Sequence, residues 1–156
     1  MKLTESSYTP SQAIGIDLYW KYPRKYSSCI MSYSFNPESG LIIVFSEIVG
    51  PSGSIVLRLA LDTGATGTMN VAPLITIGYD PSLAPDRVQV TTGSGVEYAP
   101  RFLISQFKAL GQERYQFPVL AHTLPPSANI DGLLGLDFPR EQDLYISFQR
   151  GSISLE

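Results

Sequence analysis

The sequence predicts an all-β domain, a barrel or sandwich of short strands. Glycine and proline are plentiful, at 13 and 12 residues, and nine Tyr and seven Phe stand among the 156 positions. That mix suits pleated strands joined by tight turns. Apolar and polar residues alternate over several short runs, the period of a half-buried strand. Helix has little room, because Pro73 limits the one candidate, residues 70–78, to a single turn.

Taken in order, residues 30–35 alternate and stop at the turn residues Asn36-Pro37-Glu38-Ser39-Gly40. Residues 41–49 read as a strongly apolar strand, followed by a turn at Gly50-Pro51-Ser52-Gly53. Residues 54–61 form the next strand, with Ile55, Leu57, Leu59 and Leu61 on one face. Residues 88–102 read as a hairpin with Thr92-Gly93-Ser94-Gly95 at its tip. Residues 102–110 and 115–123 pair around Gly111-Gln112-Glu113. Residues 144–148 alternate again, Gln149-Arg150-Gly151 turns the chain, and 152–155 return. Many short strands without long intervening helices give an all-β architecture.

Apolar residues make up 44% and charged residues 16%, an ordinary globular composition for one domain with a single core. The net charge of -3 offers no basic surface, which excludes a nucleic-acid partner. Cys29 is the single cysteine, so no intrachain disulfide can form, in keeping with a reducing compartment. The polar start at Met1 lacks the apolar run of a signal peptide, and no segment is apolar enough to span a bilayer. The expectation is a cytoplasmic protein without a membrane partner. Residues 1–28 form a weakly patterned N-terminal extension, and residues 29–156 the domain proper. The extension carries a basic aromatic knot of Trp20, Lys21, Tyr22, Arg24, Lys25 and Tyr26, which is either a docking patch or a solvated segment.

The stretch that carries chemistry is Leu57-Arg58-Leu59-Ala60-Leu61-Asp62-Thr63-Gly64-Ala65-Thr66. A buried apolar strand runs straight into a carboxylate, which is costly unless the charge is paired, hydrogen-bonded or neutralised. The Thr63 hydroxyl can help hold the loop, and Gly64 allows a tight turn and the close approach of a second backbone. Such an Asp is a functional candidate on physical grounds alone.

Asp62-Thr63-Gly64-Ala65-Thr66 resembles the signature of aspartic proteases. Leu133-Leu134-Gly135-Leu136-Asp137-Phe138 resembles the family's apolar pair and glycine that pack beneath the active-site loop. The glycine-tipped hairpin at 88–101 resembles the flap that closes over substrate. The resemblance covers roughly residues 30–156. It implies a closed barrel-like lobe of the retropepsin type with Asp62 as catalytic acid/base. Thr63, Gly64, Ala65 and Thr66 would form the active-site loop, Thr92, Gly93, Ser94 and Gly95 the flap, and Leu133, Leu134 and Gly135 the support. Pepsin-like enzymes carry two such signatures in one longer chain, and this chain has one. The resemblance therefore implies a homodimer in which Asp62 meets its copy. The implied reaction is hydrolysis of a peptide or protein substrate by a water activated between the two carboxylates, with no metal and no cofactor.

Retroviral relatives usually place an acid at the position of Thr66 and an arginine at that of Leu136, which form an ion pair. Both are absent here, and losing both need cost little, whereas losing one leaves an unpaired charge. The chain is thus nearer to the cellular and bacterial branch. Retroviral dimers also interlace their chain ends, so the C-terminal hairpin at 144–155 is either part of a dimer interface or an ordinary intrachain hairpin.

Other readings compete. Asp62 could cap a turn, and Asp131 or Asp137 could supply an intrachain second carboxylate. Asp137 is expected to accept hydrogen bonds inside the fold, and Asp131 to sit on a loop. His122, the only histidine, excludes a His-rich zinc site and leaves a Ser-His triad without support. Cys29 is expected to be a packed small residue, since nothing near it in sequence would lower its pKa. Tyr98 either contacts substrate or fills the hairpin. Aspartyl phosphotransfer needs an acid or lysine where Thr63 and Gly64 stand, and the glycines at 64–67 precede no lysine, unlike a phosphate loop. The principal alternative is a catalytically weak or inactive protease-like dimer that binds peptides or supports assembly. The distinct composition of residues 1–28 suggests an inhibitory or removable segment. Deleting residues 1–28 is expected to raise peptidase activity, and unchanged activity would remove that reading.

Overall fold

The computed structural model describes residues 31–67, 69–70, 72–92 and 95–156. The extension 1–28, Cys29, Ile30, Gly93 and Ser94 lie outside the described residues. Among the described residues, ten strands, one short α-helical turn and two 3-10 turns (Pro81–Leu83 and Pro126–Ala128) make up the regular structure. In order the strands and the α-helical turn are β1 (Ser32–Ser34), β2 (Ile43–Gly50), β3 (Gly53–Leu61), β4 (Met69–Asn70), α1 (Pro73–Thr76), β5 (Asp86–Thr92), β6 (Gly95–Ala109), β7 (Gln112–Ala121), β8 (Gly132–Leu134), β9 (Leu144–Ser147) and β10 (Ser152–Leu155). Proline at the start of α1 supplies a preset φ without removing a needed donor, and the turn ends at once. No helix among the described residues is long and apolar enough to cross a membrane.

Seven strands form one sheet in the order β2-β3-β8-β4-β7-β6-β5, and β2 also pairs with β6. That extra pairing brings the row back on itself, giving a curled, barrel-like lobe from which β5 and the start of β6 project. The alternation of β2 puts Val44, Ser46 and Ile48 inward, opposite Leu57 and Leu59 of β3. Phe107, Phe117 and Phe138 meet at ring-centroid distances of 5.0, 5.3 and 5.7 Å and fill the centre of the core with Ile104, Val119 and Leu134. Aromatic groups at such spacings combine large apolar burial with favourable edge-to-face packing.

β6 is a single strand shared by two hairpins. Its first half pairs with β5, its second with β7, and its end with β2. The turn to β7 is Leu110-Gly111, not the expected Gly111-Gln112-Glu113, since Gln112 already pairs with Ala109 and Glu113 with Lys108. The φ angles of 49° and 73° make a two-residue turn whose twist matches the strands. Leu110 tolerates this conformation because its side chain is buried in the core. Farther back, strict alternation breaks. Phe102 and Ile104 point inward, but so do Phe107 and Ala109, so the inward face changes between them. Gln116, opposite Ser105, has φ 50°, and the Ser105 amide donates to the Tyr79 hydroxyl at 3.2 Å.

The smaller sheet has the order β1-β10-β9. β10 is therefore an inner strand, covered by β1 of the same chain, and among the described residues β9 is left as an edge of the C-terminal hairpin. The pairing continues beyond β1, where the Phe35 amide donates to the Gly151 carbonyl at 2.8 Å.

Two positions give direct tests of this packing. The Ser46 hydroxyl is buried without a hydrogen-bond partner among the described residues. Replacing an unsatisfied buried donor by an apolar group of similar shape removes its desolvation penalty. Ser46→Ala is expected to stabilise the chain by about 1 kcal/mol, seen as a rise of roughly 2–4 °C in Tm by calorimetry. A Cβ at Gly135 would lie 2.6 Å from the Gly67 carbonyl oxygen, a backbone atom that cannot step aside. Gly135→Ala is expected to destabilise by about 1–3 kcal/mol in denaturant titrations.

Candidate functional site

β3 delivers Asp62 to one end of the sheet. β3 and β8 run parallel, with Leu59, Ala60 and Leu61 opposite Gly132, Leu133 and Leu134. Their pairing is pinned at one end by Asp131, whose carboxylate accepts from the Arg58 amide at 2.7 Å and whose own amide donates to the Arg58 carbonyl at 2.9 Å. At the other end the Asp62 amide donates to the Leu134 carbonyl at 3.0 Å. The chain then turns tightly. Oδ1 of Asp62 accepts from the Gly64 amide at 2.8 Å, and its carbonyl accepts from the Ala65 amide at 3.2 Å. A carboxylate bonded to the backbone two residues on is a local turn device. Oδ2 has no hydrogen bond among the described residues.

The segment after β8 closes around this loop. The Leu136 amide donates to the Ala65 carbonyl at 3.1 Å, and Gly135 packs on the backbone of Gly67. Asp62 remains half-buried at the floor of a cleft of about 900 Å³, a size that suits a substantial ligand. Gly64, Ala65, Thr66 and Gly67 continue the floor, with Leu133 and Asp137 beside them. Val88, Val90 and Glu97 come from the β5–β6 hairpin, and Leu120, His122 and Leu124 from the end of β7 and the loop beyond.

Charge in the cleft is unevenly partnered. Arg101 lies opposite Asp86 at the base of the hairpin, where its Nε donates to Oδ1 at 3.1 Å and its Nη2 to Oδ2. His122 Nδ1 stands 3.6 Å from Glu97 Oε2, too far for a good hydrogen bond.

The structure gathers most of the residues singled out in the sequence. Asp62, Gly64, Ala65 and Thr66 line the cleft, while Thr63 is exposed, outside the lining, and makes no hydrogen bond among the described residues. The loop is therefore locked by the Asp62 carboxylate and by backbone bonds, not by the Thr63 hydroxyl. Leu134 is fully buried beneath the loop and Gly135 is buried against it, but Leu133 faces the cleft. Thr92 and Gly95 pair across the hairpin end, and Gly93 and Ser94 lie outside the described residues. Tyr98 is exposed and does not line the cleft, because alternation turns it away from the face of Glu97. Asp131 is tied to Arg58, whereas Asp137 is a cleft residue. Sequence reasoning missed Glu97, His122, Val88 and Val90 as cleft residues. The signal for Val88, Val90 and Glu97 was the hairpin register, which puts Val90 opposite Glu97.

Residues 50–138, more than half of the chain, match the family described as "Aspartyl protease". No curated protein matches the chain. Among solved structures, the chain is similar to a retropepsin-like aspartic protease from Rickettsia conorii at 15% identity and a TM-score of 0.61, over 81% of this chain and 89% of that one. At that identity the likeness is one of fold. The family match runs from the β2–β3 turn through the Asp62 loop and the hairpin to Phe138, the segments that build the cleft, and the chain belongs to the aspartyl protease family.

Proposed function

We propose that the chain is an aspartic endopeptidase that hydrolyses peptide bonds with a water held between the Asp62 carboxylates of two identical subunits. The observation that carries this reading is the placement of Asp62, half-buried on the floor of a large cleft with one oxygen bonded to Gly64 and the other turned to no partner among the described residues. The sequence holds a single Asp-Thr-Gly, at 62–64. Thr63 and Gly64 beside Asp62 are exposed, as is the apolar Leu136, and this is the face that a second copy would cover.

Two carboxylates brought together cannot both ionise easily, so the pair holds one proton between them. The ionised member takes a proton from the water as its oxygen attacks the peptide carbonyl carbon. The protonated member gives its proton to the carbonyl oxygen, forming a tetrahedral diol. Collapse of the diol breaks the C–N bond: one diol hydroxyl returns its proton to the member that had given it, the carbonyl re-forms, and the amine leaves with the proton taken from water, so the pair again holds one proton. Gly64 lets the substrate main chain approach closely, and the β5–β6 hairpin covers it as a flap, with residues 92–95 at the tip. Asp137 supports a second reading, in which both carboxylates belong to one chain, because it lines the same cleft.

The experiment is cleavage of a diverse peptide mixture from roughly pH 4 to 7.5, a range that crosses the upper of the two ionisations of a shared-proton carboxylate pair. Asp62→Asn at matched dimer concentration is expected to lower kcat/KM by about 10²–10⁴-fold or more, the scale of lost acid–base catalysis. Excess Asp62→Asn subunit mixed into the wild type should suppress its activity, as a site shared between copies requires. If mixing has no effect and Asp137→Asn abolishes cleavage as Asp62→Asn does, the pair lies within one chain. Equal silence from wild type and Asp62→Asn, with the dimer intact, would favour a peptide-binding or assembly module.

A further inference from the structure

We infer that Glu97 is a specificity-determining residue that selects a lysine or arginine side chain of the bound peptide. The inference rests on the reading of this cleft as the peptide site. Glu97 sits on the hairpin strand β6 opposite Val90, and both line the cleft, so the carboxylate hangs over the space a peptide would occupy. Among the described residues its carboxylate faces the His122 ring, with Nδ1 3.6 Å from Oε2. The Glu97 side chain is 55% exposed and that of His122 only 15%, so the carboxylate is the more accessible of the two.

The other charges facing the cleft leave this one uncompensated. Arg101 is engaged twice by Asp86 at the hairpin base and does not reach out as a free cation. Asp62 and Asp137 add carboxylates at the floor. An acidic peptide side chain would meet like charge on two sides, whereas a basic one would meet opposite charge. The flanking walls fit the rest of such a side chain. Val88, Val90 and Leu120 present apolar surface on which the methylene stem of Lys or Arg can lie with its head at Glu97. The net charge of -3 draws cationic peptides toward the protein from a distance.

The test uses a positional peptide library carrying Lys, Arg, norleucine, Gln or Glu at each position in turn. Cleavage is measured with the wild type, Glu97→Gln, Glu97→Lys and His122→Gln, and binding of the same library with Asp62→Asn. The full-length chain is used, and circular dichroism confirms that each variant is folded. One position is expected to favour Lys or Arg over norleucine. Glu97→Gln should reduce that ratio of kcat/KM roughly three- to tenfold, the scale of one partly screened ion pair. Glu97→Lys should turn the preference toward Glu, and His122→Gln should leave it in place or sharpen it. An unchanged ratio in Glu97→Gln, with cleavage still dependent on Asp62, overturns this inference and leaves the proposed reaction standing. Basic-selective binding without any cleavage sustains the inference and removes the reaction. Neither binding nor cleavage overturns both.

Discussion

At the end of β3 the pairing with β8 is carried one step further by the Asp62 amide, which donates to the Leu134 carbonyl. A parallel pair cannot be closed by a short turn, so everything between the two strands must be led away and brought back. Residues 62–131 are that crossover. They contain β4, α1, the β5–β6 hairpin and β7, and β4 returns between β8 and β7. One pairing therefore places both the carboxylate at the floor of the cleft and the hairpin above it. Asp131 and Gly135 guard its ends, the first by bonds to Arg58 and the second by leaving room for the backbone of Gly67.

The two halves of the molecule differ in what holds them. The body is packed by Phe107, Phe117 and Phe138 between sheet layers. The hairpin end of β6 is largely exposed on both faces from Gly95 to Tyr98, and only Ala99 is buried before Pro100. Few buried contacts and solvent-facing ladder bonds put such a segment at the low-stability end of a fold. The Arg101–Asp86 pair stands where the hairpin leaves the body, with both side chains over two-fifths exposed. An ion pair so open to solvent adds little to global stability. Its effect is local, on the direction in which the hairpin emerges.

The all-β class, the single helical turn at Pro73 and most strands could be read from alternation and turn residues, because each is a local property. Asp62 stood out because an apolar strand ending in a carboxylate is costly without a purpose. What local pattern could not reveal were features set by distant partners. The inward face of β6 changes at Ser105 because Gln116 opposite it adopts φ 50°, and Tyr79 takes up the freed amide. Leu110 enters a turn suited to glycine or asparagine because its side chain gains burial that only the folded core offers. That β10 is an inner strand could not be read locally because β1, which covers it, lies more than a hundred residues away. Likewise His122 stands near Glu97 only because β7 and the hairpin share β6.

The loop at Asp62 also explains how the chain does without the ion pair that retroviral relatives place at Thr66 and Leu136. The two segments are neighbours here, joined by the Leu136 amide and the Ala65 carbonyl at 3.1 Å. An ion pair at that point would have to repay the desolvation of both groups, and its removal as a pair is cheap. In its place stand a backbone hydrogen bond, the Asp62–Gly64 bond and the contact of Gly135 with Gly67, none of which involves an ionised partner for Asp62. Fixing the loop by backbone and shape requires no cation beside the carboxylate. It also leaves Leu136, 41% exposed, as an apolar group beside the loop. In the proposed homodimer, burial of such apolar surface and not a charge pair would bring the two Asp62 loops together, and the carboxylates would then set each other's ionisation without a competing cation from their own chain.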